Sequence, residues 1–153
     1  MNSLNQAKNR RDYNLRDWLE RLDKTDRLAI LKPGTRLEFE LAGIANHLDG
    51  TQATYFPKAD GHDIPVVSGL ISDRRWMAEA LGLEEHELVP ALQDAVANPL
   101  ASVTIDSPPC QEVVHDNPDL TKLLPIPTHN EHDSGPYITA GLAITRNPRT
   151  GIQ

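Results

Sequence analysis

The sequence predicts an α+β fold whose main part is an α/β layered domain. Three observations predict this class. Apolar residues recur at helical spacing in four segments, short runs of β-branched or aromatic residues lie between them, and turns rich in glycine and proline separate the two kinds of segment. The predicted order of elements is α-β-α-β-β-α-α-β-β, followed by a loop and a last strand.

The first predicted helix begins after Asn14, a residue type that caps helix N-termini well. Asp17 in the first turn suits the helix dipole. Trp18 belongs to the apolar stripe, so we predict that it is a core residue and not a platform for a ligand. The stripe is spaced i, i+3, i+4, i+7 and consists of Leu15, Trp18, Leu19 and Leu22.

The same signals predict the remaining elements. A second helix spans residues 38–48 and ends at a turn-forming Asp-Gly pair. Ser72 is the predicted cap of a third helix over residues 73–81, with Gly82 as its stop, and a fourth helix covers residues 84–97. The predicted strands are residues 28–31, 53–56, 64–67, 102–105, 113–114 and 137–145.

The last third of the chain is predicted to be a proline-containing loop followed by a strand. Pro125 and Pro127 exclude a helix over residues 124–127. Residues 137–145 are mostly apolar and rich in β-formers, as expected of a strand buried on both faces. Such a strand needs a return strand, because buried backbone groups without hydrogen bonds are costly. We therefore expect the chain to be the front part of a longer protein.

Composition excludes several functional classes. The chain has 153 residues and a formal net charge of −7, which argues against a nucleic-acid surface. Cys110 is the one cysteine, so no intramolecular disulfide can form, and it has no activating neighbour in the sequence. No apolar run approaches the ~20 residues of a membrane span, and no secretory signal is visible. The cytoplasm is the predicted location, and residues 1–13 are the predicted flexible tail.

The densest polar cluster lies before the last predicted strand. A zinc site would require its imidazoles and carboxylates to converge on one point. An i, i+3 histidine pair in a loop has no fixed common face, so we expect a solvated loop instead. The cluster consists of His129, Glu131, His132 and Asp133.

The other candidate motifs also give no clear evidence of a catalytic or binding site. His115 beside Asp116 is either a base with its orienting carboxylate or part of a local turn, and the turn is the simpler interpretation. Gly69 lacks the further glycines of a phosphate-binding loop. No Gly-x-Ser-x-Gly motif supports acyl transfer. The residue patterns alone therefore do not identify an active site.

The last third contains four linked motifs: Asp-Leu-Thr-Lys-Leu at 119–123, Pro-Ile-Pro-Thr-His at 125–129, Gly-Pro-Tyr-Ile-Thr-Ala-Gly at 135–141 and Ile-Thr-Arg-Asn-Pro at 144–148. In this order they resemble the UbiD-type decarboxylase family, which includes the polyprenyl-hydroxybenzoate carboxy-lyases. The similarity runs from about Leu15 to the end of the chain.

The resemblance implies an N-terminal α/β domain over residues 14–116 and the start of a split-barrel-like flavin-binding domain over residues 117–153. It implies prenylated FMN (prFMN) as cofactor, held through a divalent metal (Mn or Mg) and potassium. The family's metal ligands and catalytic acids would lie beyond Gln153, so no catalytic or metal-binding residue is carried onto this chain. Thr139 matches a strand position near the flavin, with Ile138 and Ala140 beside it; a threonine bonded to the backbone is an equally good interpretation.

Two hypotheses of different class follow. The first, implied by the resemblance, is that the chain is the N-terminal part of a non-oxidative decarboxylase of an aromatic or α,β-unsaturated carboxylic acid. As such it would be inactive alone, and it would be completed by its own C-terminal domains within a homo-oligomer. The alternative is a complete, non-catalytic module that docks with a partner chain supplying the missing strand.

Overall fold

A three-stranded sheet lies at the centre of the fold. The computed structural model describes residues 14–101 and 103–151; the predicted tail 1–13 and Ser102 lie outside the described residues. The strands are β1 (Leu28–Ile30), β2 (Ala53–Phe56) and β3 (Val66–Ser68), in the order β1-β2-β3. β1 runs parallel to β2, and β3 pairs antiparallel with β2. All three strands were predicted, within two residues at either end.

The first four helices follow the predicted order, while a short fifth helix at Leu120–Leu123 was not predicted. Asn14 caps the first of them, and its side-chain oxygen accepts a hydrogen bond from the Asp17 N–H at 2.9 Å. Ser72 was predicted to cap the third helix, but the cap is Asp73. Gly82 follows that helix with φ +67°, as predicted for its stop. No helix within 14–101 and 103–151 is long and apolar enough to cross a membrane. The helices are α1 (Leu15–Lys24), α2 (Glu40–Leu48), α3 (Arg74–Ala80), α4 (Leu88–Ala97) and α5 (Leu120–Leu123), with short 3₁₀ turns at Ala59–Gly61, Glu85–Glu87 and Pro109–Gln111.

The core consists of two apolar clusters, one on each face of β2. Successive strand residues point to opposite faces, so Ala53 and Phe56 belong to different clusters. Ala53 packs with Leu22 of α1 and Trp76 of α3, and Trp18 lies against this cluster as predicted for a core residue. Phe56 packs with Leu41 of α2. The sheet is therefore covered by helices on both sides, which is the predicted layered α/β arrangement.

The last third of the chain returns to this domain. Thr128 forms an isolated parallel bridge with Glu38, just before α2. The Tyr137 N–H donates to the Pro127 carbonyl at 3.2 Å, and Pro125 is buried. Residues 124–127 are non-helical, as predicted from their prolines, although the short helix α5 lies directly before them. These contacts place residues 124–140 beside α2 and β3.

The predicted strand over residues 137–145 is wrong for the described chain. The segment is irregular, and Leu142 in it is 93% exposed although it was expected to be buried. Strand propensity becomes a strand only where a neighbouring strand pairs with the backbone, and no described strand pairs with this segment, whose Tyr137 makes a single backbone hydrogen bond to Pro127. The described residues of the strands predicted at 102–105 and 113–114 are irregular for the same reason.

Candidate functional site

A cleft of about 460 Å³ lies between the domain and the returning segment. This volume falls within the usual range of sites for small ligands. The cleft is bounded by one side of α2 and the residue after it, by β3 with its flanking residues, and by two stretches of the last third. Its lining comprises Leu41, Ala42, Ala45, Asn46, Asp49, Pro65–Gly69, Leu124–Pro127, His129 and Tyr137–Ala140.

The three residues predicted to contact a flavin all lie on the wall of this cleft. Ile138, Thr139 and Ala140 form one consecutive stretch of it. The opposite wall of the cleft is formed by residues of α2 and β3, which lie more than 60 residues earlier in the chain. The fold therefore brings the predicted residues together with a pre-formed cavity, while the flavin contact itself stays a prediction.

The wall of the cleft is mostly apolar. Leucine, isoleucine, valine, alanine and proline supply most of its wall, and Asn46, Ser68 and Thr139 add hydrogen-bonding groups. Asp49 is the carboxylate in the lining, and none of the described lining residues is lysine or arginine. The wall can position an apolar group and hydrogen-bond its polar edge, but it has no lysine or arginine for a phosphate.

Gly69 has a structural reason to be glycine. Its φ is +68°, and an added Cβ would lie 3.0 Å from the Ser72 Oγ. The Ser72 hydroxyl donates to the Gly69 carbonyl at 2.9 Å and closes the turn from β3 toward α3. The glycine thus serves the turn that ends this wall of the cleft.

Asp73 rather than Ser72 caps α3 because its carboxylate accepts the Arg75 N–H at 2.7 Å. The Arg75 guanidinium also donates to this carboxylate. These side-chain and backbone hydrogen bonds from Arg75 lower the pKa of Asp73 to about 2. The cap therefore carries its negative charge at the helix N-terminus, where the helix dipole favours it.

The histidine-rich cluster is divided by the structure. His132 and Glu131 are exposed and contact each other at 3.6 Å, between Nε2 and Oε1. Asp133 accepts the Asn130 N–H at 2.9 Å, so this part is a solvated loop held by local hydrogen bonds. His129 is different: it is half-buried on the wall of the cleft. Within the described ranges, no group of three or more His, Cys, Asp or Glu side chains is arranged to hold a metal ion.

The remaining candidates lie on the surface. His115 and Asp116 are exposed and precede Asn117, which has φ +50°, as expected of the local turn. Cys110 is exposed in the 3₁₀ turn Pro109–Gln111. None of these residues lines the cleft.

Sequence reasoning missed the part of the cleft that α2 and β3 provide. Asn46 and Asp49 lie at the C-terminal end of α2, and the sequence marks this place only as a helix end followed by a turn. Nothing local links them to residues 137–140. The link is made by tertiary contacts, of which the Glu38–Thr128 bridge is the clearest.

The structure is an α+β domain with a cleft whose volume suits a small ligand. Two family models match the chain. The 3-octaprenyl-4-hydroxybenzoate carboxy-lyase N-terminal domain matches residues 19–96, and the 3-octaprenyl-4-hydroxybenzoate carboxy-lyase Rift-related domain matches residues 102–153. The chain belongs to the UbiD family, as its motifs predicted.

Curated relatives are similar over much of the chain. An uncharacterized protein encoded in the cooM 5′ region of Rhodospirillum rubrum is 33% identical over 144 residues, which is 88% of this chain and 30% of that protein. The anhydromevalonate phosphate decarboxylase of Methanosarcina mazei is 31% identical over 85% of this chain and 29% of its own length. That of Methanothermobacter thermautotrophicus is 36% identical over 60% of this chain and 21% of its own length.

Solved structures agree with these matches. The UbiD-class enzyme HmfF from Pelotomaculum thermopropionicum, in an evolved dimeric form in complex with prFMN, superposes with a TM-score of 0.83 at 36% identity, over 91% of this chain and 33% of that one. Its complex with FMN gives a TM-score of 0.82 at 36% identity, over 90% and 32% of the two chains. The chain thus spans about a third or less of the length of the relatives that it matches.

Proposed function

We propose that this chain is the N-terminal part of a non-oxidative decarboxylase that uses prFMN and acts on an aromatic or α,β-unsaturated carboxylic acid. Membership of the UbiD family and the decarboxylase names of two relatives support the reaction class. The complexes of HmfF with prFMN and with FMN support the cofactor. In such a reaction the cofactor accepts the electrons released from the substrate, and the protein positions the substrate and the cofactor.

The observation that carries the proposal is the position of residues 138–140 on the wall of the cleft. Apolar residues on both sides can contact the faces of a ring system, and the Thr139 hydroxyl can hydrogen-bond its polar edge. We propose that Ile138, Thr139 and Ala140 contact the flavin, and that residues 117–153 begin a split-barrel-like domain that follows a first domain over residues 14–116.

The described residues fit the ring of the flavin better than its phosphate. The lining has no lysine or arginine, and the described part of the chain has no cluster of metal-ligating side chains. We therefore propose that the ligands of a divalent metal (Mn or Mg) and of potassium lie beyond Gln153, in the protein's own C-terminal domains. The chain alone is then inactive, and the whole protein is a cytoplasmic homo-oligomer.

A second candidate is a non-catalytic module that docks with a partner chain. It is favoured by the exposed apolar residues after the cleft, Leu142 at 93% and Ile144 at 78% exposure. A strand supplied by another chain would pair with this segment and cover it. The same exposure is expected if the pairing strand belongs to the protein's own later domains, so the length of the gene product distinguishes the two.

The test is made on the natural gene product, co-expressed with a flavin prenyltransferase. We expect a mass well above 17.0 kDa, bound flavin in the visible absorption spectrum, and release of carbon dioxide from members of a panel of aromatic and α,β-unsaturated acids. A product of 17.0 kDa that retains no flavin and releases no carbon dioxide would refute the decarboxylase and leave the docking module.

A further inference from the structure

His129 is held in place at the point where the last third of the chain meets the domain. The residue before it is fixed by two backbone hydrogen bonds: Thr128 N–H donates to the Leu37 carbonyl at 3.2 Å, and the Thr128 carbonyl accepts from Phe39 N–H at 2.9 Å. The backbone that enters His129 is therefore tied to the start of α2.

The ring of His129 is supported from the other side by Tyr137. Their ring centroids are 4.7 Å apart and the planes are tilted by 45°, a favourable aromatic arrangement. Tyr137 is itself tied back, since its N–H donates to the Pro127 carbonyl at 3.2 Å. Both rings line the cleft, so the imidazole is a pre-positioned part of its wall.

One nitrogen of this ring lacks a hydrogen bond. Nδ1 of His129 is buried, and no described atom donates to it or accepts from it. A buried N–H without an acceptor is more costly and rarer than an unsatisfied lone pair. In the neutral form of the imidazole this places the lone pair on Nδ1 and the proton on Nε2, so that Nε2–H is the donor that the ring offers.

From this geometry we propose that His129 is a ligand-binding residue of the cleft, donating a hydrogen bond from Nε2 to an oxygen of a planar aromatic ligand. The inference rests on the proposed function, which supplies two ligands with suitable oxygens: a carbonyl of the flavin and the carboxylate of the acid. The remaining wall, apolar apart from a few uncharged polar groups and Asp49, fits the ring of either one.

The test compares variants of the full-length protein, prepared without flavin to measure the Kd for FMN and loaded with flavin to measure the KM for the acid. His129→Phe keeps the aromatic contact with Tyr137 but removes the donor, while His129→Gln restores an N–H donor without the ring. His132→Phe is the matched control, because His132 lies three residues away in the same loop and its side chain is 86% exposed. We expect His129→Phe to weaken binding about tenfold, as for one lost hydrogen bond. His129→Gln should recover part of that loss, and His132→Phe should match the wild type.

Two readouts distinguish the two sources of the oxygen. If the Kd for FMN rises in His129→Phe while KM for the acid is unchanged, the partner is the flavin; the opposite result identifies the carboxylate. Both results support the inference. An unchanged Kd and KM in His129→Phe, or losses of equal size in His132→Phe, would overturn it.

If the proposed function is wrong, the wild-type protein itself binds no flavin and releases no carbon dioxide, so this failure is distinguishable from failure of the His129 inference. In that case the protein is titrated with benzoate, and binding is measured by NMR from the ¹⁵N signals of its labelled histidines. A shift of the His129 Nε2 signal that is absent for His132 supports the donor role. Benzoate that leaves the His129 signal unmoved would overturn it.

Discussion

The guanidinium of Arg27 makes two parallel hydrogen bonds to the carboxylate of Glu79, at 2.7 Å and 2.8 Å. Arg27 directly precedes β1, and Glu79 lies in α3. The guanidinium also lies 5.3 Å from the ring centroid of Trp76 and 5.8 Å from that of Trp18. This pair therefore joins the edge of the sheet to the helices that cover one of its faces.

Removing the charge of Glu79 should loosen the sheet. Glu79→Gln keeps the shape but loses the paired, charge-assisted hydrogen bonds. Because the Glu79 side chain is 38% exposed, we expect a loss of only about 1 kcal/mol in the free energy of opening. The Ala53 N–H, which donates to the Arg27 carbonyl at 2.8 Å, should then exchange with solvent about fivefold faster.

The matched control is Glu20→Gln. Glu20 pairs with Lys24 in an i, i+4 arrangement, and both side chains are more than 60% exposed. Such a surface pair contributes little, so exchange at Ala53 should not change. Equal rates in Glu79→Gln and the wild type would show that the Arg27 pair does not stabilise the sheet.

The same pair predicts a dependence on pH. The hydrogen bond from Arg27, helped by its positive charge and opposed by burial, lowers the pKa of Glu79 from 4.5. A carboxylate whose pKa is lower in the folded state stabilises the fold above its unfolded pKa, and this contribution is lost as the pH falls through the folded value.

The difference between the wild type and Glu79→Gln in the free energy of opening at Ala53, taken from the ratio of their exchange rates at each pH, should therefore be constant from neutral pH down to about 5 and shrink below it. Measuring the difference between two variants removes the effect of the other carboxylates. A difference that grows on acidification would contradict the assigned direction of the pKa shift.

The backbone at Phe39 is strained, and we expect Phe39→Gly to be more stable at this turn than Phe39→Ala. Its φ is +62° and its ψ is −34°, and the Glu40 N–H donates to the Glu38 carbonyl at 2.7 Å, so Phe39 is the centre of a γ-turn that is unfavourable for a bulky residue. Glycine adopts positive φ without this cost. The Gly43 N–H, which donates to the Phe39 carbonyl at 2.8 Å, reports on the turn.

We expect Phe39→Gly to protect the Gly43 amide about fivefold better than Phe39→Ala does, which corresponds to about 1 kcal/mol of relieved strain. The alanine variant is the control, because it loses the same ring but keeps the restriction on φ. If the two variants exchange equally, the turn is not strained.

The elements that the sequence predicted correctly are those with a local cause. Asn14 begins α1 and Gly82 follows α3, because caps depend on the neighbouring few residues. The strand over residues 137–145 was wrong because a strand also needs a partner. The cleft was not predictable because α2 meets residues 124–140 only in the folded chain, and for the same reason His129 could not be separated from the solvated loop that follows it.

Thr139 allows the predicted flavin contact to be tested directly. In the full-length protein, Thr139→Val keeps the volume of the side chain and removes its hydroxyl, so we expect the Kd for FMN to rise about five- to tenfold, as for one lost hydrogen bond. Thr139→Ser should restore most of the affinity. Thr104→Val is the control, because Thr104 is exposed and lies outside the lining of the cleft. If Thr139→Val binds FMN like the wild type, the Thr139 hydroxyl does not bind the flavin, and the predicted contact is refuted.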